Sequence, residues 1–377
     1  MAPKQLSYAE NIRLNYDPEK ALPRTGLVTA AEKAAAGLPD AVPWPDNLVP
    51  TAAPLLPPPV ETDSLARFAG YDAVVMTYTS AEAASLAALF TPNNPVSTWY
   101  EYRHNIDAYT PIVTGPKAPF NATEAEDKRY FHSLGLYFPC TIGKAKVLLI
   151  KSGLHLDYDT KDPVATDAVI PFYKMVAEVV ATVQPKIFIT TGTGGGIGPD
   201  VKLGDVIVAS QVRFDCTGQF ASQPWKSDSY RTSTLPPSAL GYITPALTTV
   251  NAKHIATATP IAGGSEPKIW SSGYKIVTTD KFAFDTSNDY FKLQGLGQVC
   301  DMGDAMVGRA LASFTKVLWY AIRNASDPQV PMTGDTEADY EKADKEAGDI
   351  YRKYGGYTTA ASVIATWAII AALQARQ

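Results

Sequence analysis

The sequence is poor in the residues that carry most metal and redox chemistry. Its 377 residues include three cysteines, Cys140, Cys216 and Cys300, and four histidines. Cysteines so few, odd in number and widely spaced exclude a disulfide framework and fit buried thiols in a reducing compartment. There is no Cys-x-x-Cys, and His104, His132, His155 and His254 form no His-x-x-x-His pair, so no metal site is expected. Gly-x-Ser-x-Gly is absent, which argues against a serine nucleophile elbow. Basic runs are missing as well. With a net charge of −5 the chain lacks a phosphate-neutralising surface, and no nucleic-acid partner is expected. The polar N-terminus, Met1 to Asp17, has no apolar core and is not a secretory signal. Thr358 to Ala375 is charge-free, but it is rich in Ala and Thr and reads as a buried C-terminal helix. A cytoplasmic protein without a membrane span is expected.

Glycine and proline are plentiful, and each is concentrated. Prolines crowd Pro43 to Val60, including Pro57-Pro58-Pro59. Such a run favours extended polyproline II geometry and forbids regular helix or a central strand. Residues 1–67 therefore read as an extension, draped over the domain or a partner subunit, or offered to a proline-recognition module. Residues 68–377 form the main domain.

Glycines concentrate in Pro185 to Ser210, PKIFITTGTGGGIGPDVKLGDVIVAS. Apolar Ile187 to Ile189 and Val206 to Ala209 read as strands on either side of a glycine-rich ligand loop. In such a loop backbone N–H groups approach a ligand with no Cβ in the way. The spacing is not that of a dinucleotide fold, because the sixth position falls on Ile197, Pro199 or Val201. No Gly-Lys-Ser/Thr follows, which excludes a nucleotide P-loop.

Elsewhere Ala73 to Thr77 is a buried strand, with Ser80 as N-cap of the helix that follows. Ser97 to Thr114 reads as an edge hairpin or loop. Gly143 to Lys151 is a strand and Val164 to Val183 a helix. Residues 211–272 read as an irregular insertion covering a site, with some helix around Pro245 to Ala258. Tyr274 to Thr278 is a strand, Asp301 to Thr315 a helix and Val317 to Ile322 a strand. Asp335 to Tyr354 is a charged surface helix. Strands alternating with helices give an α/β domain with a central mixed sheet flanked by helices.

Three ordered blocks resemble the nucleoside phosphorylase/nucleosidase superfamily. They are KVLLIKSGLHLD, Lys146 to Asp157; the glycine loop with its Gly204-Asp205 strand; and the pair CDMGDAMVGRAL, Cys300 to Leu311, and VLWYAIRNASDPQV, Val317 to Val330. With a weaker match at Tyr71 to Leu89 they span about residues 70–375. The pattern is similar to methylthioadenosine/S-adenosylhomocysteine nucleosidases and bacterial purine nucleoside phosphorylases. The resemblance implies a nucleoside phosphorylase-like fold, a small-molecule nucleoside substrate, no cofactor and a homo-oligomer.

It also implies roles. Cleaving an N-glycosidic bond needs an acid for the leaving base and an activated nucleophile at C1′. Asp327, with Ser326 orienting it, matches the acid that reaches the purine N7; a turn before Pro328 is the alternative. Glu82 matches the base that activates water, and also suits a helix N-terminus. Thr193 would hold the water or a phosphate oxygen, with Gly194 beside it. Phe282 would stack on the base, unless it packs in the core, and the Ala283 backbone would meet the base edge. Met302 would contact the sugar. Relatives follow it with a ribose-clamping Glu; here Gly303 and Asp304 stand instead. The loss of clamp and bulk implies tolerance of 2′-deoxy or 2′-O-modified sugars, unless Asp304 swings into the vacated place. The arginines that hold phosphate in phosphorolytic relatives are missing at Thr190 and from Thr79 to Leu89, which favours water. His155 is a candidate for the pocket wall. A purine nucleosidase is expected, with a phosphate-dependent phosphorylase or an inactive storage or binding protein of the same fold as alternatives.

Overall fold

The computed structural model describes residues 42, 44–55, 64–113, 133–156, 170–243 and 267–374. Its strands are β1 Pro50–Ala52, β2 Ala73–Thr77, β3 Tyr100–Tyr102, β4 Gly135–Ile142, β5 Ala145–Ser152, β6 Ile187–Gly196, β7 Val206–Val208, β8 Gln211–Asp215, β9 Ser229–Arg231, β10 Ile269–Trp270, β11 Lys275–Thr279, β12 Val299–Asp301 and β13 Leu318–Asp327. They form one mixed sheet ordered β1-β4-β5-β2-β6-β12-β11-β8-β9, with β3 on β4, β13 on β6 and β7, and β10 on β7. The centre is parallel: β2 with β5 and β6, and β6 with β13. Such strands are covered on both faces, and every residue of β2 is buried.

The principal helices are α1 Ser80–Phe90, α2 Ile106–Val113, α3 Pro171–Val183, α4 Asp304–Leu311 and α5 Glu337–Gln374. The sheet separates two apolar layers. Phe172, Met175 and Val179 of α3 join Met306 and Leu311 of α4 in one. Leu86 and Phe90 of α1 join Ile364, Trp367 and Ile370 of α5 in the other. This is the expected α/β architecture.

Several elements differ from the sequence reading. Thr79, not Ser80, caps α1, because its hydroxyl accepts from Glu82 N while Glu82 reaches back to the Thr79 N–H. The glycine run is not a loop. It stays extended to Gly196 because its ladder with β13 continues through it. Residues 97–114 hold a short strand and α2. Asp301 belongs to β12, so the following helix starts at Asp304. The helix read from Val164 begins at Pro171, and 164–169 lie outside the described residues. Residues 211–272 contribute β8, β9 and β10, with β8 between β11 and β9; the strand's signal is the short polar/apolar alternation Gln211 to Asp215, with Val212 and Phe214 buried. The helix read at 245–258 lies outside the described residues.

The two C-terminal helices are one, α5, which runs unbroken through Gly355 and Gly356. Thr358 and Thr359 satisfy their hydroxyls on the Gly355 carbonyl, so the polar stretch costs the helix nothing in unpaired groups. Within the proline-rich segment, β1 pairs antiparallel with β4 at the sheet edge, where a proline is tolerated. Trp44 lies 4.5 Å from Trp367, whose indole N–H donates to the Leu48 carbonyl at 2.8 Å. Among the described residues no helix is long and apolar enough to cross a membrane.

Candidate active site

Strand β6 changes neighbours part-way along. Ile187 to Thr190 lie beside β2, whereas Gly195 and Gly196 lie beside antiparallel β12. On its other side β13 accompanies it to Gly195. Between β2 and β12, at Thr191 to Gly194, the sheet opens at the carboxyl ends of parallel strands, where ligands of α/β sheets bind.

Glu82 sits at one wall of this opening, where β2 turns into α1. Its Oε2 accepts from Thr77 Oγ1 at 2.7 Å, Tyr78 N at 2.8 Å and Thr79 N at 2.9 Å. Its Oε1 accepts from Thr193 N and Thr193 Oγ1, both at 2.7 Å, with Arg323 Nη1 at 3.6 Å. A carboxylate offers about four acceptor positions, so Glu82 is saturated by protein donors. Burial works to raise this carboxyl, but Arg323 and the hydrogen bonds outweigh it and hold it below the ordinary range. Gly192, at φ +156°, makes room, since any Cβ there would strike the Glu82 carboxyl group.

Asp327 forms the opposite wall, at the end of β13 just past a register shift. Ser326 Oγ donates to its Oδ1 at 2.7 Å. Its Oδ2 lies 3.2 Å from where a Gly195 Cβ would stand. Burial pushes Asp327 up to about 6, with the Ser326 hydrogen bond opposing. The Cys300 thiol donates to the Ala283 carbonyl at 3.3 Å, and both border the same Gly195.

A buried charge cluster supports the floor. Arg323 binds Asp304 through Nε at 2.8 Å and through Nη2, and lies 3.3 Å from Asp301. Its guanidinium covers the Tyr78 ring at 4.6 Å, and Tyr78 Oη donates to Asp304 Oδ1 at 3.0 Å. Asp301 accepts from Gly303 N at 3.1 Å and Asp304 N at 2.8 Å, capping α4. Burial and neighbouring Asp304 push Asp301 up to about 7 against the pull of Arg323. Lys151 closes β5 level with Thr77, buried, and desolvation pushes it down to about 8 against the opposing charge of Glu82.

A sequence model described as the phosphorylase superfamily matches residues 110–354. The chain belongs to the phosphorylase superfamily. No curated protein matches it in sequence. Among solved structures it is similar to a 5′-methylthioadenosine/S-adenosylhomocysteine nucleosidase from Colwellia psychrerythraea 34H in complex with adenine, at 13% identity, TM-score 0.49, covering 81% of this chain and 96% of that one. The nucleosidase from Neisseria meningitidis gives 13%, 0.47, 80% and 98%. Futalosine hydrolase of Helicobacter pylori strain 26695 gives 13%, 0.46, 80% and 97%.

In this superfamily chain the glycine strand draws Glu82, Thr193, Gly194, Ala283, Ser326 and Asp327 to one end of the sheet. Phe282 is 53% exposed, so it does not pack in the core; Phe284, 6.1 Å away, takes that place. Met302 is half-buried, its carbonyl accepting from Leu156 N at 3.1 Å. His155 sets its ring edge-on to Tyr78 at 5.3 Å. Two expectations are corrected. The place beside Gly303 is not vacant, because the Tyr78 ring lies 2.9 Å from where a Gly303 Cβ would be. Asp304 does not swing into it, being fully buried in its pair with Arg323. Cations also approach Glu82 from elements outside Thr190 and Thr79 to Leu89, namely Arg323 and Lys151. Arg323 was legible as a charge directly after the apolar run of β13; Tyr78 and Lys151 carried no local signal.

Proposed function

We propose that this superfamily member is a purine nucleosidase, hydrolysing the N-glycosidic bond to free base and free sugar. One observation carries the reading: two carboxyls at one opening are pushed apart, Glu82 below the ordinary range and Asp327 up to about 6. Carboxyls so separated divide into a base and an acid. Protonated Asp327, steadied by Ser326, gives its proton to the departing base, and the electron pair of the C1′–N bond leaves with that base. Water adds to C1′. Because both Glu82 oxygens already accept from protein donors, the water rests on Thr193 Oγ1. Its proton passes to Thr193 as the proton of Thr193 passes to Glu82. Phe282 at the mouth stacks on the base, with Ala283 and Gly194 along its edge, and Met302 borders the sugar.

Charge supports water over phosphate. With Asp327 protonated, the carboxylates of Glu82 and Asp304 already offset Arg323 and Lys151, and Arg323 is committed to Asp304. A phosphate dianion there meets no excess of positive charge to repay its desolvation. On the sugar side, locked Asp304 leaves no free clamp, which supports acceptance of 2′-deoxy nucleosides; Tyr78 takes the room that a 2′-O-alkyl group needs. The wide exposure of Phe282 and Tyr290 supports a homo-oligomer assembled near the mouth, and the free cysteines suit the cytoplasm. We keep residues 68–377 as the catalytic domain and 1–67 as its extension.

The test is product analysis with purine nucleosides, with and without phosphate. Free base and free sugar are expected in both buffers. Sugar 1-phosphate formed at a rate that rises with phosphate would replace hydrolysis by phosphorolysis. Tight nucleoside binding with no turnover would make the protein a binding protein.

A further inference from the structure

Asp285 is a buried carboxyl group that the proposed reaction leaves unused. It follows Ala283 by two residues. Its Oδ2 accepts from Gln329 Nε2 at 2.6 Å, from Gly198 N at 2.8 Å and from Gln294 Nε2 at 3.3 Å. Two of these donors belong to other walls of the opening: Gln329 stands two residues after Asp327, and Gly198 three residues after Gly195. One oxygen atom thus ties together the segments that carry the acid, the glycine strand and the base edge. The backbones join at the same place. Val330 N donates to the Asp285 carbonyl at 3.0 Å, and Ser287 N to the Val330 carbonyl at 2.9 Å. Among the described residues, the hydrogen-bond partners of the Asp285 side chain are all neutral. Burying a carboxylate against neutral donors costs free energy that apolar packing does not. Its bonds to those donors are charge-assisted, short and directional, and they hold the three segments at defined distances.

We propose that Asp285 is a positioning residue for protonation of the leaving base: through Gln329 and Gly198 it sets Asp327 and the glycine strand at the working distance from the Ala283 loop. The proposal rests on the nucleosidase reading. In that reaction the Asp327 proton goes to the base as the C1′–N electron pair leaves with it. The transfer needs acid and base within hydrogen-bond reach, about 2.6–3.2 Å between heavy atoms. Both sides of that gap are set by segments that Asp285 joins. Thr193 and Glu82 bond to one another directly, so the attack of water on C1′ does not depend on this tie.

Leaving-group dependence tests the proposal. Inosine needs its base protonated, whereas 4-nitrophenyl β-D-ribofuranoside releases a stable phenolate that takes the C1′–O pair without a proton. Asp285→Ala is expected to lower kcat for inosine about 10- to 100-fold, the penalty of a misplaced reacting group, and to leave the nitrophenyl riboside nearly unchanged. Asp327→Asn gives the ratio of the two losses for a removed acid. Asp285→Asn keeps one acceptor oxygen for Gln329 and Gly198, and is expected to recover most of the loss. Gln329→Met keeps the length of the side chain and removes the 2.6 Å donor alone. It is expected to show the same split between substrates, and decides the matter if Asp285→Ala is poorly folded. Equal losses on both substrates, or no loss on inosine, would overturn the proposal and leave the nucleosidase reading standing. A wild type that releases base from no purine nucleoside in either buffer overturns both.

Discussion

Asp327 Oδ2 lies 3.2 Å from the point where a Cβ on Gly195 would stand, so the glycine at this one position holds open the free face of the carboxyl group. The same point is 3.1 Å from Cys300 Sγ and 3.7 Å from the Ala283 carbonyl. An added methyl is tighter than ordinary contact with two of these neighbours and blocks the only Asp327 oxygen that Ser326 does not use. Gly195→Ala is expected to lower kcat about 10- to 100-fold, since misplacing a reacting group by a fraction of an ångström carries penalties of that size. Steady-state kinetics and the melting temperature check this; a wild-type kcat in a folded variant removes Oδ2 from the reaction.

Asp327 has a pH signature. As an acid it works protonated, so kcat is expected to fall as pH rises through about 6. Its folded value is raised, so its contribution to stability is complete below the unfolded value and is lost as pH rises through about 6. A rise from 3.8 to about 6 amounts to on the order of 3 kcal/mol. Asp327→Asn is therefore expected to lose ~10²–10⁴-fold in kcat and to be more stable than wild type at pH 8. A parallel urea titration and rate measurement test both halves; a less stable Asn variant at pH 8 contradicts the origin assigned to the raised value.

Glu82 runs the other way. Its folded value is lowered, so its stabilising share is present above the unfolded value and is lost as pH falls through the folded one. It also closes the capping box of α1 and faces Arg323. Glu82→Gln is expected to cost both activity, ~10²-fold or more, and stability, on the order of 1–3 kcal/mol from a buried charged hydrogen-bond partner. Thermal melts at pH 7 together with kcat decide between this dual role and a capping role alone, in which the rate follows the folded fraction.

Much of this site was legible in the chain and part of it was not, for physical reasons. Asp327 announced itself by its Asp-Pro step shortly after an apolar run, although β13 continues past Ile322, where that run ends, to Asp327 itself. Thr193 and the glycines were visible by composition, but whether they formed a loop or a strand depended on β13 as a partner far along the chain, and that partner decided for strand. Glu82 was visible at a helix start, whereas its saturation by five donors required Thr77 and Thr193 to meet across β2 and β6. Tyr351, whose hydroxyl lies 3.2 Å from Thr79 Oγ1 at the start of α1, sat in a charged helical stretch that reads as plain surface. The aromatic takes on its place in the site only because α5 runs as one helix and is pinned at Tyr340 and Tyr354.

Gly303 and Tyr78 are complementary: a Gly303 Cβ would lie 2.9 Å from Tyr78 Cζ and 3.2 Å from its hydroxyl. Tyr78 in turn donates to Asp304, which Arg323 holds by two donors. Asp304, the carboxylate that follows Gly303, is thus fully occupied by Tyr78 and Arg323. A pocket whose polar groups need the substrate hydroxyl rejects the analogue without it; a pocket whose groups are already paired does not. Inosine and 2′-deoxyinosine are therefore expected to differ by less than about tenfold in kcat/KM, whereas a free clamp would separate them by ~100-fold or more. The 2′-O-methyl form is expected to be the poorest of the three, because the Tyr78 ring fills the space it needs. Tyr78→Phe separates the two effects. It frees one Asp304 oxygen from its donor while keeping the ring, so preference for the ribonucleoside is expected to appear and exclusion of the 2′-O-methyl form to persist. A wild-type preference for inosine above ~100-fold would show that Asp304 releases Arg323 to bind the sugar.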